Sequence, residues 1–412
     1  MTSTTVAHPA LRNRTREQAQ ASTRRRGLLP GRSTGSFWVL VALVTVLNLF
    51  GLVMVMSASS VVSVRETGGA WSYVERQAMW TALGIPALLA CLMISLDFWR
   101  RFVKVFLFGS IVMLALVLVP GIGVKVNGAR RWLGGASLQF QPSEFAKFGL
   151  LLFTADVLDR RSTEIDDWRR GLRPVVIALA IVAGLVMKEP NLGTTIIIAA
   201  MVLTMLLVAG TPIGPLALTA MAGVVLATAS VASSAFRRTR FLRFLNPWAD
   251  PHNTGLQNIQ SMVGLANGGL LGRGLGRSTA KWGFLPYAHT DFIYAVIGEE
   301  FGLAGAFATV LLFAGLAVVG VYIALKARDR FSFLVASGIT AWLTVQALMN
   351  IGAVIGIMPI TGVPLPFVSF GGSSLVINLA ATGLLLNIAR HEVPSVPSER
   401  PERRARPARR AR

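Results

Sequence analysis

The chain has 412 residues, 53% of them hydrophobic and only 14% charged, with a mean hydropathy of +0.59. Soluble domains carry about 25% charged residues, so a string of water-soluble domains is excluded. Apolar runs approach about 20 residues, the length that crosses a bilayer as helix, and one large membrane domain is expected. The net charge of +21 is concentrated at the ends, with seven arginines in the first 35 residues and eight from Arg390 to Arg412. Such blocks can bind nucleic acid. Flanking a membrane domain, they read as basic cytoplasmic tails (1–35 and 391–412) against anionic lipid, with no nucleic-acid partner. The single cysteine, Cys91, excludes an intrachain disulfide, and His8, His252, His289 and His391 lack metal-ligand spacing.

The expected fold is an all-α integral membrane protein of ten transmembrane helices, at 36–58, 78–96, 103–120, 143–158, 173–187, 194–210, 213–234, 292–325, 332–353 and 371–390. The first stretch is too long for a signal peptide and reads as an uncleaved span. Basic residues gather in the loops after spans 2 (Arg100, Arg101, Lys104), 4 (Arg160, Arg161, Arg169, Arg170, Arg173) and 8 (Lys326, Arg328, Arg330), which places both termini in the cytoplasm. The loop after span 6 is uncharged and gives no orientation. The outward loops are then Ser59–Gln77, Gly121–Gln141, Lys188–Gly193 and a large extracytoplasmic loop between helices 7 and 8, from about Ser234 to Asp291. A loop this long is usually functional or disordered. Its aromatics and the helix-like stretch from Gln257 to Leu265 favour order.

Three groups of residues could carry chemistry. Asp291 stands where the chain enters span 8 from outside. It serves either as a cap on free N–H groups at a helix start or as a general base at the membrane–water boundary. Glu299 and Glu300 follow within the same span, where a carboxylate faces a cavity or a cationic partner. The second group is basic: Arg130 and Arg131 in an outward loop, Lys147 in span 4 after Gln141-Pro142-Ser143-Glu144, and Lys188 at the outer end of span 5. Together they suit a diphosphate just above the acyl boundary. Singly they snorkel, and Lys147 has Glu144 as an alternative partner at i, i+3. The third runs from Asn350 to Ser374, with Pro359, Gly362, Pro364 and Pro366 in close succession. Backbone of that kind survives at membrane depth only when buried in protein or lining a wet cavity. Ser373 and Ser374 are candidate caps for span 10. The glycine-rich Gly272–Arg277 follows no strand and lacks the lysine of a phosphate loop.

The segments Gly51–Ser59, Gly128-Ala-Arg-Arg-Trp132 with Gln141–Phe145, Glu189-Pro-Asn-Leu-Gly-Thr194, His289–Ile293 with Gly298-Glu-Glu300, and Pro359–Pro366 with Ser369–Ser374 resemble the SEDS family (shape, elongation, division and sporulation). The likeness covers nearly the whole membrane domain and is strongest to the cell-division branch, with the elongation branch as the alternative. It implies a peptidoglycan glycosyltransferase that polymerises lipid II and releases undecaprenyl pyrophosphate, with Asp291 as general base. Arg130, Arg131, Lys147, Lys188, Glu300, Ser369 and Ser373 are the expected substrate-binding residues. The implied partners are a class B penicillin-binding protein (the transpeptidase) and other divisome proteins. No cofactor is required by the pattern, although a divalent cation, Mg or Mn, could bridge a diphosphate to Asp291 or Glu300. The chain departs from many relatives at Asn191, commonly aspartate, and Phe370, commonly tyrosine. A lipid II flippase and a non-catalytic scaffold for a transpeptidase are the competing readings. The flippase would need a site open to both sides in turn.

Overall fold

A computed structural model describes residues 34–126, 129–135, 139–253 and 255–392. The tails beyond these bounds, and Asn127 and Gly128 of the expected loop motif, lie outside the described residues. Thirteen α-helices follow one another among them: α1 Gly35–Thr67, α2 Ser72–Met93, α3 Leu96–Arg101, α4 Val103–Leu118, α5 Pro142–Arg160, α6 Arg173–Lys188, α7 Leu192–Val208, α8 Ile213–Ala232, α9 Ala235–Leu245, α10 Leu256–Gly268, α11 Ile293–Leu325, α12 Arg330–Val354 and α13 Gly372–Arg390. Each of the ten predicted stretches falls on one of these helices. Among the described residues, seven helical segments are long and apolar enough to cross a membrane, and α4 and α7 are shorter apolar helices. α5 spans 19 residues but carries Glu144, Lys147, Asp156 and Asp159, so its composition alone does not mark it.

Local chemistry explains the boundaries. α1 starts at Thr34, whose hydroxyl accepts from Phe37 N, and stops at Gly68 in the left-handed region. It runs nine residues past its predicted end because Ser59 to Thr67 contain no helix breaker. Pro142 sits in the first turn of α5, where a missing N–H costs nothing. Asn191 caps α7 by accepting from Thr194 N at 3.2 Å. That position needs a capping oxygen, which asparagine supplies as well as aspartate. The loop expected from Gly121 to Gln141 holds a three-stranded antiparallel sheet of β1 Val124–Val126, β2 Ala129–Gly134 and β3 Gln139–Phe140. The register pairs Lys125 with Arg130 and Leu133 with Phe140.

The two ends of the bundle differ in chemistry. At one end Arg100 bridges Asp156 at 3.1 Å and Asp159 at 2.6 Å, and its guanidinium lies 5.3 Å from the Phe331 ring centre. Arg330 donates to Ala209 O at 2.7 Å, Asn387 to Cys91 O and Ile94 O at 3.0 and 2.7 Å, and Thr34 to Ala389 O at 3.1 Å. The start of α1, the end of α13, the three basic loops and the uncharged loop after α7 therefore share one end. Asp291, the sheet and the turn between α6 and α7 occupy the other.

α11 is broken, which resolves why its run exceeds one span. Gly302 has φ +68° and ψ −163°, so the ladder of the helix is interrupted after Phe301. The chain from Gly269 to Gly274 completes it. Arg273 N and Gly274 N donate to Glu299 O and Glu300 O at 3.0 and 2.9 Å, while Leu303 N and Ala304 N donate to Gly269 O and Leu270 O at 2.8 and 3.1 Å. Four backbone groups orphaned by the break are thus paired, as buried backbone requires. The glycine-rich Gly272–Arg277 begins inside this clasp rather than forming a phosphate loop. A Cβ on Gly302 would lie 2.6 Å from Leu270 C and would also meet Gly272 N. Gly302→Val is expected to cost about 1–3 kcal/mol, seen as a lower thermal midpoint in detergent. An unchanged midpoint would contradict the clasp.

Candidate active site

Three loops meet around Asp291: residues 286–292, the strap 355–371 between α12 and α13, and the turn 188–191 before α7. All three described non-glycine residues with positive φ lie in them: Tyr287 (61°), Phe367 (64°) and Pro190 (31°). Such strain persists only where surroundings over-determine it, and it clusters at functional sites.

α12 positions the strap. Asn350 donates its amide to Asp291 O and to Val363 O, both at 2.8 Å. One turn earlier Gln346 donates to Pro364 O at 3.0 Å. Two amides at i, i+4 on one helix face therefore fix two successive carbonyls of the strap and the backbone of Asp291. Gly362 follows closely: a Cβ there would stand 3.5 Å from Asp291 Oδ2. On its other side the strap meets α7, where a Cβ on Gly193 would lie 2.7 Å from Thr361 Cβ. Phe370 N donates to His289 O at 3.0 Å, and the rings of Tyr73, His289 and Phe370 pack with centroids 4.7 to 5.9 Å apart. Burial pushes the His289 imidazole down to about 4, so it is neutral at physiological pH two residues from Asp291. Phe370 contributes ring packing to this trio.

Asp291 itself is partly exposed. The N-cap position of α11 falls on Phe292, one residue beyond it, so Asp291 is not the residue at the cap position. It lies one residue before that cap, close to the positive end of the helix.

The basic residues divide. Arg131 donates Nε to Glu189 O at 2.9 Å and its terminal nitrogen to Pro190 O at 2.6 Å, which ties β2 to the turn before α7. Through Gly193, Thr361 and Gly362 that turn is continuous with Asp291. Arg130 is partly exposed on the same strand and Lys188 is exposed. Lys147 corrects its expectation. Its ammonium is fully enclosed, bonded to Glu144 at 2.8 Å and Gln346 at 2.9 Å, and lies 4.6 Å from the Trp342 ring centre. It supports the strap through Gln346 rather than facing a substrate diphosphate.

Glu300, Ser369 and Ser373, expected to touch substrate, are also enclosed. Glu300 accepts from Ser57 Oγ at 2.6 Å and Ser278 N at 3.3 Å. Ser369 Oγ accepts from Leu365 N at 2.9 Å inside the strap, and Ser373 Oγ accepts from Gln141 N at 3.2 Å. The N-cap of α13 is Gly371, so the expected serine cap is not there. Glu299 accepts from Ser278 Oγ at 2.6 Å, from Thr279 N and Oγ1 at 2.9 and 2.5 Å, and from Ala280 N at 3.3 Å, with Arg273 at 3.6 Å. It anchors the large loop. Among the described residues, no group of three or more His, Cys, Asp or Glu side chains could hold a metal ion. With Glu300 enclosed, Asp291 is the remaining expected carboxylate for a cation bridged to a diphosphate.

Sequence reasoning missed Gln346, although an amide pair at i, i+4 inside an apolar helix is a readable signal of buried polar work. The enclosed pair it serves makes a sharp expectation. Glu144→Leu alone leaves a buried ammonium without its counter-charge and should cost about 3–5 kcal/mol, whereas Glu144→Leu with Lys147→Met should recover most of the loss. Thermal unfolding of both variants checks this; equal losses would contradict a buried pair.

Known proteins place this geometry in a family. The sequence profile described as "Cell cycle protein", covering FtsW, RodA and SpoVE, matches residues 37–393. A probable peptidoglycan glycosyltransferase FtsW of Mycobacterium tuberculosis is 41% identical over 89% of this chain and 70% of its own length. One from Geobacter metallireducens is 39% identical over 85% and 94% respectively. Among solved structures, a chain of a peptidoglycan synthase complex, determined for the coordination of polymerization and crosslinking, superposes with a TM-score of 0.72 at 30% identity, covering 86% of this chain and 97% of that one. The rod shape determining protein RodA of Thermus thermophilus gives 0.65 at 28% identity, covering 87% and 98%. The chain is a multi-pass membrane protein and belongs to the FtsW/RodA/SpoVE family of cell cycle proteins.

Proposed function

We propose that the protein is a peptidoglycan glycosyltransferase that polymerises lipid II at the division septum. The observation that carries the reading is a partly exposed carboxylate, Asp291, whose backbone is pinned by Asn350 at the end of the bundle that also holds Arg130, Arg131 and Lys188. The relatives named as FtsW glycosyltransferases give the reaction class and the division role.

In this mechanism the 4-hydroxyl of one disaccharide attacks the anomeric carbon of the growing chain. Asp291 accepts the hydroxyl proton as the new C–O bond forms. The bond from the anomeric carbon to the diphosphate breaks, and undecaprenyl pyrophosphate leaves with that electron pair. Arg130, Arg131 and Lys188 stabilise the charge of the leaving diphosphate. The protein offers a magnesium or manganese ion the Asp291 carboxylate, short of a protein cage. Such an ion would take further ligands from diphosphate and water and would supply added charge neutralisation to the leaving group.

The basic end of the bundle faces the cytoplasm in this reading, with both termini, and Asp291 faces outward. A class B penicillin-binding protein is the proposed partner, in line with the synthase complex whose chain this one resembles, along with other divisome proteins. The flippase reading gains no support from the two intramembrane glutamates, since both are enclosed and hydrogen-bonded.

The test is lipid II polymerisation by the purified protein with its transpeptidase partner, wild type against Asp291→Asn. Asparagine keeps the size and cannot accept the proton. Glycan strands are expected from the wild type and none from the variant. Equal strand synthesis by both would sink the assignment of the base.

A further inference from the structure

Glu189 has no role in the mechanism above, yet it is fully buried and neither of its carboxyl oxygens has a hydrogen-bond partner among the described residues. It closes α6, with its own N–H bonded to Leu185 O and Val186 O. The next residue is the strained Pro190, and Arg131 grips the carbonyls of both. A buried carboxylate without donors is costly, and such a group neutralises instead. Burial pushes the Glu189 carboxyl up to about 8, against the opposing pull of Arg131. Among its neighbours, α7 brings Asn191 and Thr194, which do not titrate. On α5, Glu144 and Lys147 are taken up by each other. Lys188, adjacent in sequence, is exposed. Arg131 is the charged group acting on it.

We propose that Glu189 is a positioning residue for the diphosphate: its enclosed carboxyl, without a hydrogen-bond donor, underlies the turn whose carbonyls Arg131 grips, and so sets the environment of that guanidinium. The inference rests on the glycosyltransferase reading for the identity of the ligand. When Glu189 ionises, the field around Arg131 becomes one unit more negative and a dianionic diphosphate diester is held less tightly. The sign follows from the raised carboxyl: it is neutral below pH 8 and charged above it, so binding is strongest on the acid side and weakens as pH rises. The diester itself does not titrate between pH 7 and 9, and the comparison with Glu189→Gln assigns the dependence to that carboxyl.

The experiment is lipid II binding to full-length Asp291→Asn protein in nanodiscs, which removes turnover, at pH 7 and pH 9. With Glu189 present, the dissociation constant should rise about tenfold over that range, the scale of a nearby unit charge at a partly buried site. Adding Glu189→Gln, which keeps an uncharged group of the same shape, should flatten the profile. An equal rise in both proteins, or none with Glu189 present, would overturn the proposal. A second measurement does not depend on the variant folding well. Infrared difference spectra of the Asp291→Asn protein between pH 7 and 9 should show loss of a buried carboxylic-acid C=O band, and its absence would also overturn the proposal. Failure of lipid II to bind the wild-type protein at either pH would instead reject the glycosyltransferase reading on which the ligand rests, and with it this assignment.

Discussion

Between α12 and α13 the chain runs from Ile355 to Gly371 without regular secondary structure, and over its mostly buried part, Ile360 to Ser369, the carbonyls must be satisfied by something other than bulk water. α12 does this with two amides one turn apart. Asn350 takes Val363 O together with Asp291 O, and Gln346 takes Pro364 O. The same bonds that make the strap tolerable at that depth fix the backbone of the one partly exposed carboxylate at the helix mouth. Lys147 and Trp342 both donate to Gln346 Oε1, at 2.9 Å each, and so orient its amide nitrogen toward the strap. The enclosed ion pair of α5 thus bears on the site from within.

The large loop before α11 obeys the same constraint. Gly302 breaks the helix, and the clasp of Gly269–Gly274 restores the lost ladder with its own backbone. Glu299 then gathers the N–H and hydroxyl groups of Ser278 to Ala280. The result is a loop held at two places on α11, ordered enough to carry Tyr287 and Asp291 in defined positions. The intramembrane glutamates are therefore parts of the scaffold.

Much of this was legible in the amino-acid order, because helices in lipid must be apolar and continuous, and such runs are visible without a partner. Pro142 at a helix start, the helix before Gly269 and the irregular strap all followed from local rules. What was not legible depended on distant partners. Lys147 reads as either an anion-binding cation or a partner of Glu144, and its enclosure is visible only once Gln346, 199 residues away, is placed beside it. Ser373 reads as a cap until its hydroxyl meets Gln141 N, 232 residues distant. Glu300 reads as a ligand until Ser57 covers it. The small sheet was missed because strands of two to six residues leave little pattern. Asp291 stood out because a carboxylate at a helix mouth is conspicuous in one dimension, and the structure adds that it is pinned there.

The dependence of Asp291 on the amide of Asn350 is tested most directly by lipid II polymerisation with Asn350→Ala, read beside the thermal midpoint of the same protein. If the strap and the carboxylate are positioned by that amide, turnover should fall by about a hundredfold, the scale of a reacting group displaced by about 1 Å, while the helices stay folded. Wild-type turnover in a folded Asn350→Ala protein would contradict the account.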